Sequence, residues 1–192
     1  MTLYSIVLFI HIACVLGLFA CLSFEALSLF RLRQASSVAE VHLWMEPVPA
    51  LPLWISASAL GIFLSGGYLA MRMSAFGLSW IEVAITALLL IAPLGALSGK
   101  RMRAIRQCSA GAQRVDPELS RRLRDPVLKI SLGIRISIFL GIVLLMAAKP
   151  ELWESIGIVA TSVVLGFLVS RISGQSGHQL SDPRIGVGSQ LP

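Results

Sequence analysis

Residues 3–29 read LYSIVLFIHIACVLGLFACLSFEALSL, an apolar run long enough to cross a bilayer as one helix. Six residues recur along it at alternating spacings of three and four, and all but one leucine are polar or small, so they share one helical face: His11, Cys14, Leu18, Cys21, Glu25 and Ser28. Lipid cannot solvate an ionised side chain, and a charge at the bilayer centre costs at least about 2.5 kcal/mol. This polar face of the first helix therefore has to contact protein, a cofactor or water.

The composition places the whole chain in a membrane. Hydrophobic residues make up 56% of the 192 residues and charged residues 14%, and the mean hydropathy is +0.81. Five apolar runs have a length suited to spanning a bilayer, at 3–29, 49–71, 78–97, 127–148 and 152–170. The sequence therefore predicts an all-α, polytopic transmembrane bundle of five helices over residues 1–173, followed by a disordered tail at 174–192.

Charge predicts the orientation of this bundle. Basic residues follow the first, third and fifth runs, most densely in a basic loop at 100–125, whereas the opposite ends carry few. Because basic loops stay in the cytoplasm, we expect the N-terminus outside and the C-terminus inside, in a bacterial cytoplasmic (inner) membrane. The net charge of +6 then indicates contact with anionic inner-leaflet lipids and not with nucleic acid. Protein partners are open, a homo-oligomer among them.

Two charged pairs share a spacing that could bring them together. His11 and Glu25 lie fourteen residues apart on the first run, as do Arg135 and Lys149 on the fourth, which runs antiparallel to it. A separation of fourteen residues keeps two side chains on nearly the same face at depths about 21 Å apart. We therefore predict an inner buried ion pair of Glu25 with Arg135 and an outer site with His11 and Lys149.

Each of these residues allows a structural and a functional interpretation. The Glu25–Arg135 pair could fix helix register or conduct protons. His11 could bond to a neighbouring carbonyl or serine, or it could be a cofactor ligand or proton relay. The sequence contains no catalytic triad, P-loop or zinc motif, so catalytic residues are unassigned and no metal site is predicted.

Two segments carry a resemblance to known membrane proteins. His11 with the small residues after it and LFRLR at 29–33, together with GIVLLMAAKP at 141–150, resemble HemJ-type protoporphyrinogen oxidases and CopD-like membrane proteins. The chain to about residue 170 is also similar to an uncharacterised bacterial family of predicted integral membrane proteins. The HemJ-like resemblance implies haem b, with His11 as an axial ligand and Lys149 as a partner of haem or substrate carboxylates.

Three functional hypotheses follow from the residues and the resemblance. The first is a haem b-associated redox protein with a site formed by His11 and Lys149. The second is a small permease or proton-conducting protein that uses His11, Glu25 and Arg135. The third is an accessory subunit of a membrane complex, in which the polar pairs are structural.

Overall fold

The described part of the chain is built from helices, and five of them are long and apolar enough to cross a membrane. The structure, a computed structural model, describes residues 2–35, 37–73, 77–110, 121–123 and 125–172. Its α-helices are α1 (Leu3–Gln34), α2 (Val38–Met45), α3 (Leu51–Arg72), α4 (Ser79–Ala110), α5 (Pro126–Ala148) and α6 (Leu152–Ile172), with a 3-10 turn at Val48–Ala50. Each of these α-helices belongs to one of the five membrane-length spans, with α2 and α3 in the same one, so the prediction of an all-α bundle with five such helices is confirmed.

Two helices are longer than their apolar runs. The run at 3–29 belongs to a helix that continues to Gln34, and the run at 78–97 belongs to one that continues to Ala110, into the predicted basic loop. Arginine, lysine, methionine and glutamine all have good helix propensity, so a helix does not end where its apolar run ends. The predicted tail at 174–192 and the middle of the basic loop, residues 111–120, lie outside the described residues.

The helices pack as two groups that meet along α1 and α5. The first helix packs mainly on α3, while α5 packs on α4 and α6, and α3 and α4 hardly touch each other. Buried apolar side chains from α1, α3, α4 and α5 form the central core: Leu18, Leu22, Ile62, Ala84, Ala87, Ile91, Ile138, Phe139, Ile142 and Leu145. The polar face of α1 points into this bundle, since His11, Leu18, Glu25 and Ser28 are all buried.

Glycine sets the distance between α5 and α6. A Cβ added to Gly166 would lie 2.8 Å from the carbonyl oxygen of Gly133 and 2.9 Å from the Cα of Ile134. Small residues at such positions allow the backbones of two membrane helices to approach closely. The close contact between α5 and α6 therefore requires glycine at position 166.

The basic end of the bundle is tied together around Asp125. Its carboxylate forms an ion pair with Arg101 of α4, and it also accepts a hydrogen bond of 2.9 Å from the backbone nitrogen of Val127, which caps α5. The backbone oxygen of Asp125 accepts a hydrogen bond of 2.9 Å from Arg33 of α1. Three helices are thus joined at this end by one residue.

The outer surface of the bundle carries large apolar side chains. Phe9 is 72% exposed, Leu53 72% and Trp153 81%, on three different helices. Exposed apolar surface of this extent is typical of helices that face lipid. Together with the five membrane-length helices, it identifies a multi-pass membrane protein.

Candidate functional site

Among the described residues, the buried charged side chains are Glu25 on α1 and Arg135 on α5. Nη2 of Arg135 donates a hydrogen bond to Oε1 of Glu25, and the two side chains form an ion pair. Arg135 is 1% exposed and Glu25 9% exposed. The inner pair that the fourteen-residue spacing predicts is therefore present, and both charges are compensated inside the bundle.

The Arg135 guanidinium is held against the backbone of α4. Its Nη1 lies 3.5 Å from the position that a Cβ on Gly95 would occupy, which is an ordinary van der Waals distance, so the guanidinium packs beside α4 at Gly95. Its Nε is buried and has no hydrogen-bond partner among the described residues. The same is true of the hydroxyl of Ser28, one turn after Glu25 on α1. Two buried polar groups at the ion pair, Nε of Arg135 and the hydroxyl of Ser28, are thus without a described hydrogen-bond partner.

Two serines extend the polar region between α4 and α5. The hydroxyl of Ser98 donates to that of Ser131 at 3.0 Å, and Ser131 donates to the carbonyl oxygen of Leu94 at 2.9 Å. Ser131 lies one turn before Arg135, so both occupy the same face of α5. Neither Ser98 nor Ser131 was predicted from the sequence. The four-residue spacing of Ser131 and Arg135 is the sequence signal that could have identified Ser131.

His11 faces α3 and bonds to Ser65. Its Nδ1 lies 3.0 Å from the Ser65 hydroxyl oxygen, and that hydroxyl donates to the carbonyl oxygen of Gly61. A hydroxyl has one hydrogen, so the Ser65 oxygen is the acceptor for Nδ1–H of His11. The imidazole is then the tautomer whose Nε2 carries the lone pair, and no described residue donates to Nε2.

Glycine also shapes the surroundings of this imidazole. A Cβ on Gly66 would lie 3.1 Å from Cε1 of His11, which is tighter than ordinary van der Waals contact. One turn further along α1, Cys14 packs against Gly61, where an added Cβ would lie 2.4 Å from its sulfur. Ser65 and Gly66 thus hold the ring, one through a hydrogen bond and the other through close contact.

Lys149 lies apart from His11. It is the C-terminal cap of α5, with left-handed backbone angles (φ 47°, ψ 54°), and its side chain is exposed. The structure describes no hydrogen bond or ion pair between Lys149 and His11. Of the two predicted levels, the structure brings together the inner pair of Glu25 and Arg135. The two outer residues, His11 and Lys149, lie in different surroundings.

A cavity reaches the buried ion pair from the gap between α3 and α4. Its volume is about 640 Å³, and both Glu25 and Arg135 contribute to its wall. A smaller cavity of about 370 Å³ lies beside the Arg101–Asp125 pair at the basic end. Neither of these cavities is lined by His11.

The described residues contain no group of three or more histidine, cysteine, aspartate or glutamate side chains that could hold a metal ion. A haem iron needs fewer protein ligands than that, because the porphyrin supplies four. Comparison of the chain with known protein families, curated proteins and solved structures found no match. The geometry of the polar residues is therefore the basis for the function proposed next.

Proposed function

We propose that this protein is a haem b-binding redox protein of the bacterial cytoplasmic membrane, with His11 as an axial ligand of the iron. The observation that carries the proposal is the hydrogen-bond chain from His11 through Ser65 to Gly61. A histidine that ligates a metal through one nitrogen almost always donates the other N–H to an oriented acceptor. Ser65 is such an acceptor, and it leaves Nε2 with the lone pair that iron needs.

The resemblance to HemJ-type proteins supports the same residue independently, since it is the histidine of the first helix that matches. Bound haem b would supply a one-electron iron couple, whose potential depends on the axial ligand and its hydrogen bonds. Ser65 would set the basicity of the imidazole, and Gly66 would fix the position of the ring. Lys149 remains a hypothesis as a partner of carboxylates, because it has no described contact with His11.

An absorption spectrum tests the proposal. The full-length protein, purified in detergent from cells supplied with haem, is expected to show a stoichiometric b-type spectrum in oxidised and reduced forms. His11→Ala should lose it, whereas His42→Ala should keep it, because His42 is exposed on α2. A folded wild-type protein without haem, or one whose spectrum survives His11→Ala, would overturn the proposal.

The variant Ser65→Ala tests whether the hydroxyl of Ser65 acts on the haem ligand His11. Loss of the acceptor for Nδ1–H should leave haem bound but raise its reduction potential in a redox titration, because a less basic imidazole stabilises ferric iron less. An unchanged potential in a haem-loaded variant would mean that Ser65 does not act on the ligand.

A second candidate function is proton conduction, and the cavity that reaches Glu25 and Arg135 favours it. A carboxylate in contact with a cavity can exchange protons if water enters there. Wild-type protein in proteoliposomes should then dissipate a pH gradient, and Glu25→Gln should not. Equal rates for the two proteins and for empty vesicles would rule this function out.

A further inference from the structure

The cavity between α3 and α4 has an apolar body. Ala92, Gly95, Ala96 and Gly99 line it from α4, at helical spacings of three and four. Such small residues in membrane helices usually let a neighbouring helix approach closely. Here α3 hardly touches α4, so the small residues border a cavity of about 640 Å³ instead of a helix contact. A volume of this size is typical of sites for small molecules.

The same cavity has a cationic end. Arg103 and Arg106 line it from the next turns of α4, and both are exposed. Neither makes an ion pair with a described acidic residue. Arg135 also belongs to the wall, and its buried Nε has no hydrogen-bond partner among the described residues. Glu25, the acid that lines this cavity, is already paired with Arg135.

We propose that this cavity binds one anionic phospholipid of the surrounding membrane. One acyl chain lies along the small residues of α4, and the phosphate lies at Arg103 and Arg106. Both parts of the occupant are argued from the wall: the apolar body matches an acyl chain, and the two arginines, which have no ion pair with a described acidic residue, attract an anion. Basic pockets between membrane helices on the cytoplasmic side bind anionic headgroups in this way.

Native mass spectrometry tests the proposal. Full-length protein in mild detergent is given equal amounts of phosphatidylglycerol and phosphatidylcholine, and the lipid adducts are counted. The wild type should retain one phosphatidylglycerol in preference to phosphatidylcholine. Arg103→Gln with Arg106→Gln should weaken this retention roughly 30-fold, since each arginine near a headgroup contributes about a fivefold factor.

Two matched controls separate the site from general effects. Lys100→Gln with Arg171→Gln removes the same charge at the same end of the bundle, but neither residue lines the cavity, so the preference should persist. Gly99→Leu should fill the cavity and exclude the lipid, whereas Gly67→Leu, on α3, should not. A Cβ at either glycine meets no atom within 4 Å, so both variants are expected to fold.

Three results would overturn the proposal. The first is equal retention of the two lipids by the wild type. The second is the same loss of preference in the Lys100 and Arg171 control as in the arginine variant. The third is undiminished retention in Gly99→Leu, because the acyl chain would then lie elsewhere.

Discussion

The burial of Arg135 makes the stability of the bundle depend on one carboxylate. With 1% of Arg135 exposed, Glu25→Ala would leave a guanidinium without a counter-charge inside the protein. Breaking a buried pair from one side costs about 3–5 kcal/mol, whereas replacing both partners by apolar residues is often neutral. We therefore expect Glu25→Ala to lower the thermal midpoint in detergent strongly, and Glu25→Leu with Arg135→Met to recover most of it.

The double-mutant cycle decides whether the two charges act as a pair. In a cycle of Glu25→Leu, Arg135→Met and the double variant, a coupled pair requires the double variant to lose less stability than the two single variants lose together. If the two destabilisations simply add, the stability of the bundle does not depend on the ion pair.

Beside the imidazole of His11, the addition of a single methyl group should lower the stability of the bundle. Gly66→Ala places a Cβ 3.1 Å from Cε1 of His11, so the ring has to shift, at a cost of about 1–3 kcal/mol if α3 cannot yield. Gly67→Ala is the matched control, since its Cβ meets nothing within 4 Å. The thermal midpoint of Gly66→Ala should therefore be lower than that of Gly67→Ala. A Gly66→Ala protein as stable as Gly67→Ala would show that the ring has room to move.

Whether the sequence predicts the partner of a charged residue depends on how far that residue lies from the end of its helix. Glu25 and Arg135 each lie nine residues from the nearer end of their helices, at Gln34 and Pro126, so each needs a charged partner inside the bundle, and the fourteen-residue spacing identified it. Lys149 ends its helix, where a long side chain can reach the membrane surface and needs no partner in the bundle. Ser65 was not predictable as the partner of His11, because the register of α3 against α1 is set by packing that a single sequence does not reveal.

At the scale of helices, the close contact between α5 and α6 is the most sensitive to substitution. Gly166→Ala would place a Cβ 2.8 Å from the carbonyl oxygen of Gly133, and both groups belong to rigid backbones. We expect the helices to separate, with a loss of about 1–3 kcal/mol measured as a lower thermal midpoint. Gly157→Ala, on the same helix with no atom within 4 Å, should be neutral or slightly stabilising. Equal midpoints would mean that α6 can move without cost.

The number of membrane-length helices was predictable and their ends were not. An apolar run predicts the part of a helix that faces lipid, as for the run at 78–97, whereas α4 continues to Ala110 through residues that favour helix, among them Lys100, Arg101 and Arg103. The gap between α3 and α4 had no sequence signal either. The small residues of α4 would have predicted a close helix contact there, and the structure has a cavity instead.

For the whole molecule, the remaining prediction is its orientation in the membrane. Lys100 and Lys149 are exposed at opposite ends of the bundle, and the end with Lys100 also carries most of the arginines. The positive-inside rule places that end in the cytoplasm. In a Cys108→Ser background, Lys149→Cys should react with a membrane-impermeant maleimide in intact cells, and Lys100→Cys only after the cells are permeabilised. The reverse pattern would put the N-terminus inside and move the arginines of the lipid cavity to the outer leaflet.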